Sequence, residues 1–199
     1  VTTTSTETGG EQGRRLDARR NHERILAAAV EVFAEHGLGA TVPQIADRAG
    51  VGKATVYRNY PTKDDLVAAV SAEHFRELEH RTVSALTEPD AYQALSVYIV
   101  DLFGSLAHNR LLADVLAEGT VVPSTRILAL LDQLLAAARK SGRVRADATG
   151  TDIRIVLCGA VLQLMRLDVR DQATWRRYGE LVMNALRPAH DTQLADAGC

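Results

Sequence analysis

Between Asn21 and His36 the apolar residues Ile25, Ala29, Val32 and Phe33 recur at i, i+4, i+7 and i+8, the spacing of one helical stripe. Gly37 and Gly39 end that helix. Thr41 then stands where an N-cap belongs, ahead of Val42, Ile45, Ala46 and Ala49, and Gly50 stops this second, short helix. Val51, Val56 and Tyr60 mark a third helix, closed by Pro61, after which Thr62 can cap a fourth. Two short helices joined by a tight glycine turn have the layout of a helix-turn-helix. A plain three-helix domain without a ligand has the same layout.

Beyond Pro61 the periods lengthen. Lys63 to Leu86 reads as one long helix carrying Leu66, Val67, Val70, Phe75 and Leu78, broken at Pro89 and Asp90. Helices are expected over Ala91 to Ala107, over Arg110 to Glu118 with Gly119 as its stop, and from Pro123 and Ser124 to Lys140. Two more follow, over Asp152 to Leu167 and Thr174 to Leu186, with Pro188 as the last breaker. The pattern predicts an all-α protein: an N-terminal three-helix domain and a C-terminal bundle of about six helices. The expected divisions are a disordered tail and basic arm over 1–20, the helix-turn-helix over 21–65, the bundle over 66–188 and a loose tail over 189–199.

Composition narrows the function classes. At 199 residues, 46% of them hydrophobic, the chain buries a core without staples, and its two cysteines make no disulfide framework. No apolar run approaches about 18 residues and the first 24 are polar and charged, so neither a membrane span nor a signal peptide is expected and the cytoplasm is the expected location. The net charge of −2 conceals an uneven split. Residues 14–63 hold nine Lys and Arg against five Asp and Glu, a local +4 that leaves −6 for the remainder. A basic N-terminal part on an acidic body suits a polyanion partner for the first part, and ordinary surface charge accounts for it equally well.

The third helix carries the most specific chemistry. At about 100° per residue, Lys53, Tyr57, Ala54 and Arg58 share one arc, with Val56 and Tyr60 opposite. The arc offers two cations, a phenol and a small side chain, flanked by the hydrogen-bonding groups of Thr55 and Asn59. A DNA major groove asks for this mixture: cations for guanine and phosphate, a small residue for close approach, hydroxyls and amides for positioning. Thr41 caps its helix and can also offer a hydroxyl and helix-terminal N–H groups to a phosphate.

The run from Thr41 to Leu66, TVPQIADRAGVGKATVYRNYPTKDDL, resembles the DNA-binding signature of the TetR family of bacterial repressors. The matching pieces are Thr41, Ile45-Ala46, Ala49-Gly50-Val51, Thr55-Val56-Tyr57, Tyr60 and Lys63. The resemblance covers residues 20–70, and the rest matches in length and helix content alone. It implies that Lys53, Ala54 and Tyr57 face bases, that Thr41, Thr55, Asn59, Tyr60 and Lys63 contact phosphates, and that Arg58 reaches either. Gly52 departs from the pattern, since the family often has a capping Ser there. A single short helix reads too few base pairs for useful specificity, which argues for a dimer on a palindrome.

The family pairs its last two helices with their twins, so Ile153, Leu157, Ala160, Val161, Leu164, Trp175, Tyr178 and Val182 are candidates for a homodimer seam. Packing into the chain's own core is the alternative for this stripe. The resemblance also implies a small-molecule effector among the middle helices. Candidate lining residues are Tyr98, Leu102, Phe103, Leu106, Leu116, Val121, Leu130, Leu134, Cys158 and Leu162, with Glu118 and Gln133 (and Gln163) as polar groups to orient it, and a solid core is the alternative for each apolar one. The expected function is therefore a ligand-responsive regulator, a repressor released from a double-stranded DNA operator by an apolar or amphipathic effector through the long fourth helix.

Other classes fare worse. One Glu-x-x-His pair, Glu77 and His80, falls short of a di-iron bundle, which needs two. No nucleophile elbow, phosphate loop or CxxC is present, so neither an enzyme nor a cofactor or metal is expected. His74, Glu77 and His80 as a metal sensor, and Cys158 with Cys199 as a redox pair, are weaker than a solvated face and inert thiols. A small-molecule-binding protein that keeps the fold without reading DNA is the main alternative, and the modest basic content of 41–63 argues against a sequence-tolerant architectural binder.

Overall fold

The computed structural model describes residues 8–119, 121 and 124–188; the first seven residues of the tail and arm expected over 1–20, and the tail expected over 189–199, lie outside the described residues. The described residues form helices and no strand. In order these are α1 (Thr8–His36), a short 3-10 turn (Gly37–Gly39), α2 (Val42–Ala49), α3 (Lys53–Asn59), α4 (Lys63–Leu86), α5 (Ala91–Leu106), α6 (Arg110–Glu118), α7 (Thr125–Lys140), α8 (Gly150–Arg166) and α9 (Gln172–Ala185). The expectation of an all-α chain with an N-terminal helix-turn-helix and a C-terminal helical part holds.

Two compact units emerge. One joins the chain up to His74 with His108–Val121; the other joins Phe75–Ala107 with the chain beyond Val121. In the first, α1 packs on α2, α2 on α3, and α6 returns onto α1 and the 3-10 turn. Its core is Ile25, Ala29, Val32, Phe33, Ile45, Ala46, Val56 and Leu66, with Leu111 and Val115 from α6. In the second, α5 packs against α7 and α9, and α8 against the same two. Its core gathers Leu95, Tyr98, Ile99, Leu102, Phe103, Leu106, Leu134, Val161, Leu164, Trp175 and Val182. The Phe103 and Trp175 rings lie 6.5 Å apart, and the Trp175 indole donates to the Val169 carbonyl at 2.9 Å.

Two expected boundaries shift. The first helix starts at Thr8, inside the expected tail, rather than near Asn21. Residues 14–24 contain no Gly or Pro, and an i,i+4 pair between Arg19 and Glu23 at 3.0 Å supports the turns from Arg14 onward; Gly9, Gly10 and Gly13 give no such local support to the first turns. The bundle expected over 66–188 also loses members, because α4 as far as His74 and all of α6 belong to the first unit. The stripe of Leu111, Leu112 and Val115 is what α6 buries there.

Candidate nucleic-acid interface

The helix-turn-helix is built from local signals. Thr41 accepts from the Gln44 N–H and Gln44 Oε1 accepts from the Thr41 N–H, a reciprocal cap that starts α2. Gly50 ends α2 at φ +62°, in the left-handed region where a side chain is strained. Arg24 of α1 steadies this turn by donating to the Ala49 carbonyl at 2.7 Å. Arg48 ties α2 to α1 through Glu31 at 2.8 Å and Glu35 at 3.3 Å, and its guanidinium holds the Glu35 carboxyl below its usual range. Gly52 stands at the N-cap of α3 with no side chain to offer, so that end lacks the usual cap.

The burial of α3 follows its wheel. Val56 and Tyr60 are buried, whereas Lys53, Ala54, Tyr57 and Arg58 are exposed, Tyr57 at 49%. Among the described residues neither Lys53 nor Tyr57 takes a hydrogen-bond partner. Arg58 donates to Thr55 Oγ1 at 3.0 Å, and the Asn59 amide donates to the Thr55 carbonyl at 2.8 Å. Thr55 and Asn59 are half-buried beside the exposed arc, and Thr41 is exposed at the start of α2.

Two residues expected at phosphates have other engagements. Tyr60 is only 7% exposed; its ring stacks on His22 at 5.4 Å and its hydroxyl lies 3.4 Å from His22 Nε2. Burial raises the pKa of that phenol. Lys63 is half-buried and donates to the Leu38 carbonyl. The basic count misled in the same way. Arg24 and Arg48 contribute to the local +4, but both brace α1 and α2, which leaves Lys53 and Arg58 as the cations of the exposed α3 arc.

The expected seam on the last two helices needs correction. Leu157, Val161, Leu164, Trp175 and Val182 are buried in the second unit's own core, and Ile153, Ala160 and Tyr178 are partly exposed. The exposed large apolar residues of α8 and α9 are instead Ile155 at 65%, Val156 at 45% and Leu181 at 46%. α8 is apolar on two faces, and the one with the longer stripe is spent on the core.

The expected pocket residues divide as well. Leu116, Glu118 and Val121 belong to the first unit. In the second, Leu102, Phe103, Leu106 and Leu134 are buried among neighbouring helices; Leu130, Cys158 and Leu162 are half-buried, and Gln133 and Gln163 are exposed. A cavity of about 460 Å³ does open in this unit, against α4 and α5. Of the expected lining residues it uses Tyr98 alone, with Glu77, His80, Arg81, Val97 and Asp101 among its walls. Sequence reading missed this site because charged and polar residues such as Glu77, His80, Arg81 and Asp101 stand around it, although the surface they and Val97 present is mostly apolar. The Arg81 guanidinium lies 5.8 Å from the Tyr98 ring centre, and burial raises the pKa of the Tyr98 phenol.

No group of three or more His, Cys, Asp or Glu among the described residues is placed to hold a metal ion. His74 instead lies 3.1 Å from the Asn109 amide, and desolvation lowers its pKa. Cys158 is half-buried with its thiol pKa raised by burial, and Cys199 lies outside the described residues. No described helix is long and apolar enough to cross a membrane.

Comparison with known proteins adds to this geometry. A family model described as bacterial regulatory proteins, tetR family, matches residues 25–70. The chain is 34% identical to the TetR transcription regulatory protein from Mycobacterium vanbaalenii, with 87% of this chain and 99% of that one covered and a TM-score of 0.56. It is 31% identical to a TetR transcriptional regulator from Streptomyces coelicolor, with 85% and 99% covered and a TM-score of 0.56. It is also 34% identical over 103 residues to the HTH-type transcriptional activator FasR of Mycolicibacterium smegmatis, which covers 51% of this chain and 47% of that protein. The chain thus spans about half the length of curated relatives such as these.

Proposed function

Because the chain belongs to the TetR family of bacterial regulatory proteins, we propose that it is a ligand-responsive transcriptional regulator that binds a palindromic DNA operator as a homodimer. The observation that carries this reading is the exposed arc of α3, where Lys53 and Tyr57 stand free of internal duties beside Ala54 and Arg58. Lys53 and Tyr57 reach base edges, Ala54 lets the helix approach, and Arg58 serves base or backbone. Thr41, Thr55 and Asn59 position the helix on phosphates. Lys63 reaches a phosphate only by sharing or releasing the Leu38 carbonyl, and Tyr60 acts mainly as the buried support of the arc.

Two copies are needed because one seven-residue helix contacts only a few base pairs. The exposed apolar residues Ile155, Val156 and Leu181 support pairing through α8 and α9, with Ala160 and Tyr178 at its margin. Half-sites then lie one helical turn apart or a multiple of it, about 34–36 Å per turn. The cavity beside Tyr98 supports an effector with an apolar body and a polar head, since Glu77 and Arg81 share its wall with Val97 while Asp101 is already paired with Arg176 at 2.7 Å. An effector that binds the DNA-incompetent state about 100-fold better would loosen the operator measurably, and repression follows if the operator overlaps a promoter.

The test is fluorescence anisotropy on a labelled duplex from immediately upstream of the protein's own gene, with scrambled DNA of equal length as control. A regulator prefers its operator by at least about 10³-fold. Equal, weak binding to that duplex, to scrambled DNA and to any sequence selected from a random pool would sink the reading. It would favour a small-molecule binder that has kept the fold.

A further inference from the structure

The 3-10 turn between α1 and α2 is held from both sides. The Leu38 N–H donates to Asp114 Oδ2 of α6 at 2.7 Å, and the Leu38 carbonyl accepts from the Lys63 ammonium at the start of α4. Asp114 is 8% exposed, with Arg110 Nε 3.6 Å from its other oxygen. A carboxylate so far out of water persists only where charged hydrogen bonds replace its hydration. Gly37 makes room for it: its φ is +56°, and a Cβ there would stand 1.9 Å from Asp114 Oδ2. The apolar face of α6 has no need of an acid in order to pack, because Leu111, Leu112 and Val115 do that. What the acid adds is a fixed position for a turn 76 residues away in sequence.

The turn has a consequence for the reading head, since Thr41, the cap of α2, follows Gly39 after one residue. The other end of α6 is fixed too. Asn109 caps it by accepting from the Leu112 N–H at 3.0 Å, while its amide sits 3.1 Å from His74 Nε2 of α4.

We propose that Asp114 is a positioning residue for DNA recognition: by holding the Leu38 peptide it fixes the α1–α2 turn and thereby the presentation of Lys53, Ala54, Tyr57 and Arg58 on α3. This rests on the DNA-binding reading above. Asp114 itself touches no DNA; it acts through the turn. The hydrogen-bond acceptor is the working part, so a side-chain amide of the same shape substitutes for the carboxylate.

The experiment compares wild type, Asp114→Ala and Asp114→Asn in the full chain, with operator and scrambled duplex, alongside amide hydrogen exchange without DNA. Asp114→Ala is expected to weaken operator binding about tenfold, the order of one hydrogen bond, and to leave scrambled-DNA binding unchanged. Asp114→Asn is expected to keep most of the affinity. In the DNA-free chain the Leu38 amide is expected to exchange about tenfold faster in the alanine variant alone. Wild-type operator affinity in a folded Asp114→Ala chain overturns the proposal, and so does unchanged Leu38 exchange. If Asp114→Ala fails to fold, a comparable loss of operator affinity in a well-folded Asp114→Asn refutes the acceptor role. A wild-type chain that prefers no duplex refutes the DNA reading, and the exchange result then separates that failure from a failure of the clamp.

Discussion

Replacing Lys53 by alanine separates folding from recognition. Lys53 is exposed in the first turn of α3 and takes no partner among the described residues. Alanine is the better helix former, so the melting temperature should barely move, with stability changed by less than about 0.5 kcal/mol. The effect belongs to the bound state. If the ammonium reaches a base edge, each half-site loses about 1–3 kcal/mol of discrimination, and a dimer loses about twice that. If it reaches a phosphate, affinity falls alike for all sequences and the salt slope drops by about 0.9 per lost contact. Anisotropy titrations of wild type and Lys53→Ala against the operator, point-substituted operators and scrambled DNA, each at two salt concentrations, read both quantities. Unchanged affinity, unchanged preference and unchanged salt slope together would remove Lys53 from the interface and leave the exposed arc unexplained.

Three further substitutions probe the other parts. Tyr57→Ala should weaken operator binding at least about tenfold with an unchanged circular dichroism spectrum, because a ring left 49% exposed contributes little to the core; full affinity would count against base contact. Ile155→Glu should convert dimers to monomers by light scattering and lower operator affinity while the protomer stays folded, and a persistent dimer would point to another surface. Asp90 caps α5 and is held at about 2 by the Arg143 guanidinium, with help from the Gln93 N–H. A carboxylate with a depressed folded pKa stabilises fully above its unfolded value near 3.8 and loses that contribution as pH falls through about 2. Asp90→Asn keeps a capping side chain without the charge, so its deficit in melting temperature should be largest near neutrality and shrink from about pH 4 downward. A deficit that stays constant with pH would deny the ion pair any part in stability.

What could be read from the chain alone was whatever local chemistry decides. Thr41, Gly50 and Pro61 mark their boundaries by capping, left-handed geometry and a missing donor, and the structure puts the ends of α2 and α3 at those signals. The buried and exposed sides of α3 were legible because Val56 and Tyr60 oppose Lys53 and Tyr57 on a single wheel. Non-local facts were hidden. Apolar spacing identifies α6 as a helix but not which unit it joins, and Asp114 looks like an ordinary surface acid until Leu38 is found beside it. On α8 the periodicity revealed an apolar face without saying whether that face turns inward or outward. The longest stripe went to the core and left Ile155 and Val156 exposed. Charge counting failed for Arg24 and Arg48 for a related reason: a guanidinium bound to a carbonyl or a carboxylate of its own chain is spent.

These misplaced charges also explain how so short a reading element holds its shape. Seven residues of α3 are too few to form a stable helix alone, because nucleation costs more than two turns of hydrogen bonds return. Gly52 does not help with a cap. The stabilisation therefore comes from beneath and from the ends. Val56 and Tyr60 are buried, Arg24 braces the Gly50 turn before α3, and Arg48 locks α2 to α1. None of those residues lies on the exposed arc, and the arc's own Lys53 and Tyr57 contribute to none of these supports. On the proposed DNA-binding reading, fold and specificity are thus carried by different residues of the same short helix. Substitutions on the arc should change which DNA is read while leaving stability nearly intact, and substitutions of Arg24 or Val56 should lower melting temperature and affinity together for every sequence.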